Sequence, residues 1–305
     1  MQPLQIFPRL TLQIIKTMKS IFTAIALFSA VSLFAQKDGE YHLDKDFNLK
    51  PDGTIELSTS DAKVFITGSK RNNVHLKVDR KVVTKGLYFG HEEFAMEIND
   101  AGGDLRIREK SSSYASGIVG YYREEYEIKI ETPEGASLII KGDDGDYVIT
   151  NVNGSISMNV DDADIDLFSC SGDKFRFRLD DGDLRMDRGK GSLDIEIDDG
   201  DIEIKNGQFT SVVADIDDGD FVVETSLDDK GEYNIRAQDG LIAISILGGG
   251  GEFNIRHDDA RVFAEEGFDI REKTETFTTV SLPKGSAKVD IRADDAKVRL
   301  SRSTN

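Results

Sequence analysis

The chain has 305 residues, 38 Lys and Arg against 57 Asp and Glu, and a formal charge of −19; hydrophobic residues make up 38% and charged ones 31%. That leaves apolar material for a sizeable core but sets an anionic field against phosphate backbones, which excludes nucleic acid as a partner. One cysteine, Cys170, makes neither an internal disulfide nor a cysteine metal cluster, and the absence of Trp removes the commonest anchor of a sugar-stacking site.

The first element is the apolar run Ile21 to Ala35 (IFTAIALFSAVSLFA), preceded by Lys19 and followed by the polar QKDGEYHLDKD. About fifteen residues are too few to span a bilayer comfortably, and the order of charge, apolar stretch and terminal Ala reads as a secretory signal peptide occupying residues 1–35. Cleavage is expected after Ala35, and Met18, next to Lys19, is a candidate true start. No Cys follows the cut, so a lipid anchor is not expected, nor is a membrane span after cleavage. The expectation is an exported protein, periplasmic or extracellular. Cleavage removes Arg9, Lys16 and Lys19 and no acid, leaving 35 bases against 57 acids, or −22.

Residues 36–130 read as an N-terminal β segment and cap. They hold one regular copy of the pattern described next, and then an irregular stretch, Lys85 to Glu125, with GLYFGHEEF and SSSYASGIVGYYREE. Tyr114, Tyr121 and Tyr122 lie in that stretch. It reads as a cover over an open sheet edge, with a recognition surface as the alternative.

From residue 131 to the end the chain is repetitive. LDIEIDDGDIEI, FRFRLDDGDLRM and ISMNVDDADIDL share one frame: alternating apolar residues, a four-residue acidic turn, then two more apolar residues two apart. The frame recurs at Asp61, Asp144, Asp162, Asp181, Asp199, Asp218, Asp239, Asp259 and Asp295. From Asp144 the steps are 18, 19, 18, 19, 21, 20 and 36, the last read as two periods of 18. FAMEINDAGGDLRI (Phe94 to Ile107) reads as a tenth, degenerate copy. Strict alternation means strands with one buried face, and a single copy cannot bury its face alone. The expected fold is therefore all-β, a β-solenoid of about 18 to 20 residues per coil, with an antiparallel β-sandwich as the alternative.

Those nine Asp residues hold the second turn position and are expected to cap turn amides, as an Asx residue does. The third position is always Gly or Ala, which points to a demand for smallness more than for a left-handed backbone. The fourth is acidic in five successive copies, Asp146, Asp164, Asp183, Asp201 and Asp220. Carboxylates stacked about 5 Å apart repel, which a bound cation would relieve, so those five are the candidate calcium ligands; a solvated acidic ridge without any cofactor is the alternative. Acids repeated in every coil do not make one catalytic pair, and His42, His75, His91 and His257 show no ligand or nucleophile spacing, so no catalytic residue is expected.

The segments GTIELSTSDAKVFITGSKRNNVHLKV and YEIKIETPEGASLIIKGDDGDYVI, with the short repeats after them, resemble the bacterial β-strand-repeat domain described as a putative adhesin. The resemblance covers about residues 47–300. It implies an exported, all-β, solenoid-like protein of unassigned activity, with Asp-Asp-Gly-Asp where that family usually shows Ser-Gly-Asp. The functional expectation is a non-enzymatic scaffold contacting a protein or glycan at the cell envelope. A carbohydrate-active β-helix and a calcium-dependent binding module are the alternatives.

Overall fold

The structure, a computed structural model, describes residues 39–258 and 261–303, with the side chains of 87–92 and 113–119 outside that description; the expected signal peptide and the turn residue Asp259 lie outside it as well. The described residues form nineteen strands and one short 3-10 turn, without an α-helix. The strands are β1 (Glu40–Asn48), β2 (Thr54–Thr59), β3 (Lys63–Ser69), β4 (Asn73–Asn99), β5 (Leu105–Pro133), β6 (Ser137–Thr150), β7 (Ile156–Phe168) and β8 (Ser171–Asp181). There follow β9 (Leu184–Asp187), β10 (Lys190–Asp199), β11 (Ile202–Asp218), β12 (Asp220–Ala237), β13 (Leu241–Gly248) and β14 (Gly251–His257). The last are β15 (Val262–Ala264), β16 (Asp269–Lys273), β17 (Phe277–Leu282), β18 (Ala287–Ala293) and β19 (Lys297–Arg302).

Alternation becomes stacking. Before the acidic turn, Ile55, Leu138, Ile156, Phe175, Leu193, Val212 and Tyr233 follow one another in parallel register. After the turn, Val64, Tyr147, Ile165, Leu184, Ile202, Phe221 and Ile242 do the same. All fourteen are buried, so each coil completes the core of its neighbours. Among the described residues antiparallel pairing is confined to β1–β4, β4–β5, β14–β17 and β16–β17.

A second corner, not read from the sequence, returns the chain between coils. Asn151, Ser169, Arg188 and Asn206 take left-handed φ of 55 to 63° at steps of 18, 19 and 18. Each of the first three amides donates to the carbonyl of the next coil, Asn151 to Phe168 at 3.0 Å, for example. Gly154, Gly172 and Gly191 follow in a column at the same corner, where a Cβ on Gly191 would strike the Gly172 carbonyl.

Two expectations are corrected. The step of 36 is not two periods in sequence: the coil of Asp295 lies between those of Asp239 and Asp259, because β18 pairs with β12 on one side and β14 on the other. Its second half does likewise, β19 lying between β13 and β15. The outer edge of β14 is taken by antiparallel β17, which leaves the inner slot for the chain's last coil. The tenth copy is also different. Its NDAGGD is the tip of the long β4–β5 hairpin, with Gly102 at φ 78° and Gly103 at 86°. Leu105 and Ile107 then stack on Ile55 and Leu57, while Ile128 and Ile130 stack on Val64 and Ile66. Between those two contacts, residues 109–126 leave the stack as a ribbon paired with β4.

Candidate functional site

Two outer features carry the polar chemistry: the ridge of acidic turns and a groove at the root of the β4–β5 ribbon. On the ridge, Asp144, Asp162, Asp181, Asp199 and Asp218 stack in register. They are exposed, as are Asp61, Asp239 and Asp295. Among the described residues no amide donates to any of these eight carboxylates. The cap assigned to the second position is thus corrected, and the reason is the parallel register, in which carbonyls of the adjoining coil already take the turn amides: Gly182 N donates to Asp199 O and Gly200 N to Asp218 O, both at 3.1 Å.

The fourth-position acids do the capping, from one coil to the next. Asp183 N donates to Asp164 Oδ1 at 3.2 Å, Asp201 N to Asp183 Oδ1 at 3.1 Å, and Asp220 N to Asp201 Oδ1 at 2.9 Å. Cations from the chain itself answer part of the charge. Lys63 reaches Asp146 at 2.9 Å, and Arg185 reaches Asp166 at 2.8 Å, Asp183 at 3.1 Å and Asp164 at 3.3 Å. The hydrogen bond to Asp166 comes first in pushing the Arg185 guanidinium above its ordinary range. Asp201 and Asp220 frame a shallow cleft of about 230 Å³ with Asp183, Arg185 and Glu203. Among the described residues no group of three or more His, Cys, Asp or Glu side chains is arranged to hold a metal ion.

Third-position residues divide by backbone. Gly145, Gly182, Gly200, Gly219 and Gly240 take φ between 98 and 150°, and a Cβ there would run into the carbonyl of the neighbouring coil's third residue. Ala62, Ala163 and Ala296 are buried and do not adopt positive φ. Both smallness and left-handedness are in play, in different copies.

At the ribbon's root, Glu40, Tyr41, His42, Asp61, Arg80, Tyr122, Glu124 and Tyr126 help line a groove of about 980 Å³. Part-buried polar contacts lie at this groove and next to it. Arg80 Nε donates to Glu124 at 2.5 Å while its guanidinium lies 4.4 Å over the Phe94 ring. Glu109 accepts from Ser60 N at 2.9 Å, Ser60 Oγ at 2.8 Å and Thr59 Oγ1 at 3.0 Å. Burial works to raise that carboxyl, but these hydrogen bonds bring it below the usual range. Asp61 has no such donors, so burial first, then the carboxylates of Asp144, Glu124 and Glu109, hold it above the usual range. Tyr121 and Tyr122 are exposed on the ribbon, 49% and 39%.

The remaining candidates disperse. His42 contacts Asp79 at 2.5 Å and His75 contacts Asp46 at 3.0 Å on the paired strands β1 and β4. His257 is buried against Thr278, and the side chains of His91 and Tyr114 lie outside the described residues. Cys170 is buried, and burial pushes its thiol up.

Residues 53–301 match the family model described as Toastrack DUF4097. Among solved structures, the chain is similar to a putative adhesin from Bacteroides fragilis, at 13% identity and TM-score 0.43, covering 85% of this chain and 97% of that one. A putative adhesin from Parabacteroides merdae is similar at 12% identity and TM-score 0.35, with 85% and 95% covered. A putative lipid binding protein from Parabacteroides distasonis is similar at 14% identity and TM-score 0.33, with 85% and 96% covered. No curated protein matches the chain.

Proposed function

The chain belongs to the Toastrack DUF4097 family, and from that membership we propose that it is an exported, non-enzymatic β-solenoid that holds a contact surface for adhesion or interaction at the cell envelope. The in-register parallel return every 18 to 21 residues supports the solenoid reading, since rigid stacking positions surface side chains at fixed spacing. The observation that carries the functional reading is the β4–β5 ribbon. It leaves the stack at one corner, exposes Tyr121 and Tyr122, and stands beside the groove lined by Arg80 and Glu124. Tyrosines on such a ribbon offer large, amphipathic contact area at low entropy cost.

Beads coated with residues 36–305 are expected to adhere to bacterial envelope preparations, and the double variant Tyr121→Ala, Tyr122→Ala to lose most of that adhesion while melting like the parent. Equal adhesion by parent and variant would remove the ribbon from the function. Turnover of a polysaccharide panel, abolished by a single Asp substitution, would replace the scaffold reading with an enzyme.

A further inference from the structure

The strand before each acidic turn has two outward positions, and along most of the stack bases there are answered by acids one coil away. Arg106 pairs with Glu56 at 2.6 Å, Arg176 with Asp194 at 3.1 Å and Arg178 with Glu196 at 2.6 Å. Beyond Arg236, which keeps this rule through Asp215, the last two coils of the stack break it. Arg236 is in register with Arg292, and Arg292 with Arg256, so three guanidiniums share one straight outward column. Strand spacing sets neighbours about 4.8 Å apart and the outer two about 10 Å apart. Like charges directly opposite on adjacent strands are unfavourable. Local compensation is thin: Arg236 meets Asp215 at 3.3 Å and Arg292 meets Asp294 at 3.3 Å, both arginines being more than half exposed. Among the described residues no carboxylate pairs with Arg256.

The surroundings narrow the occupant. Two residues back along the same strands, a second outward column reads Asn234, Asp290, Asn254, in register. Across the ladder from Arg256 stands half-buried Phe277. Charge is distributed to match. Residues 231–303 hold eleven Lys and Arg against thirteen acids, whereas 36–230 hold 24 against 44, so an anion is repelled from most of the molecule and least from this end.

We propose that Arg236, Arg292 and Arg256, continued by Phe277 and flanked by Asn234, Asp290 and Asn254, form a docking strip for a linear carboxylated polysaccharide. One carboxylate bridges two of the guanidiniums at most, while a polymer with a carboxylate on successive sugars meets all three through bidentate pairs. The amide and carboxylate column beside them suits sugar hydroxyls, and the Phe277 ring suits the apolar face of a sugar. Acids at Asp215 and Asp217 close the strip on one flank, which gives the polymer its direction, from Arg236 over Arg256 to Phe277. A flat anionic membrane or a nucleic acid would have to lie across those acids as well. This strip is separate from the ribbon and stands or falls apart from it.

The test is titration calorimetry of residues 36–305 with polygalacturonate and alginate, which carry a carboxylate on every sugar, and with hyaluronan, which carries one on every second sugar. Methyl-esterified polygalacturonate, single-stranded DNA and phosphatidylglycerol vesicles serve as the contrasting probes. At least one carboxylated polymer is expected to bind, to weaken as salt rises, and to fail when its carboxylates are esterified. The double variant Arg256→Ala, Arg292→Ala should weaken that binding by about tenfold or more, and Asn254→Ala should weaken it less, while Arg106→Ala leaves it unchanged. Variants are checked by thermal melting, and a double variant that does not fold is replaced by Arg292→Gln, which removes the charge and keeps the first three side-chain carbons. Binding to none of the three polymers overturns the proposal. So does binding unaffected by the arginine variants, and so does equal affinity for DNA or vesicles.

Discussion

Asp199 and Asp201 sit two residues apart in one turn and have opposite roles. Asp201 accepts the amide of Asp220 in the next coil, and Asp199 faces water in a column of like charges. Asp201→Ala is therefore expected to lower stability by about 0.5–1.5 kcal/mol, and Asp199→Ala to be neutral or slightly stabilising, because it removes repulsion. Thermal melts of both decide it, and repeating them with calcium and with chelator checks whether the ridge binds the ion: a calcium-dependent rise in the parent that Asp201→Ala diminishes would support it. The pattern in the sequence pointed to capping by the invariant acid and missed the true capper. Invariance of position marks a constraint without naming the partner, and here the partner is an amide 19 residues away. His257 gives a second residue-scale expectation. Burial first, then the nearby Lys273 charge, lowers its pKa, with Asp258 opposing, and Nε2 meets Thr278 Oγ1 at 3.0 Å. A folded pKa below the unfolded value of about 6.5 means that its contribution is complete above that pH and is lost as pH falls toward the folded value. Urea midpoints should drop between pH 7.5 and 5.5 more in the parent than in His257→Phe.

At the scale of the element, the acidic turn exists in two backbone forms that one sequence pattern conceals. Gly200 has φ 150°, and a Cβ on it would press on the Gly182 carbonyl, so Gly200→Ala should cost about 1–3 kcal/mol. Ala163→Gly, in a turn that needs no positive φ, should cost less, through chain entropy and lost burial. Denaturant unfolding of the two compares the forms directly. What was legible at this scale was the alternation. Ile195 and Ile202 are buried because period two and the sheet's pleat count the same residues. The second corner was hidden because Asn151, Ser169, Arg188 and Asn206 share a backbone angle, while only two of the four, the asparagines, share a side chain. The glycine column beside it, at steps of 18 and 19, was the available signal.

For the whole molecule, the repeat told which segments stack but not in what order. Copies that fit one another equally well are interchangeable in a one-dimensional array, and the place of β18 and β19 between earlier coils follows only from where β17 covers β14. Deleting residues 287–305 should leave two facing parallel edges unpaired, at β12–β13 and at β14–β15, and gel filtration of that variant is expected to show aggregates or a swapped oligomer where the parent runs as one species. The same intercalation imposes a timetable. The coils from β6 to β13 can settle one onto another as the chain emerges from its N-terminal end, but the coil of β18 and β19 enters a berth whose outer wall, β14 and β15, must already be standing. The placing of β18 and β19 is then the closing of a wedge, and until they arrive the stack is a zip with its teeth parted near one end.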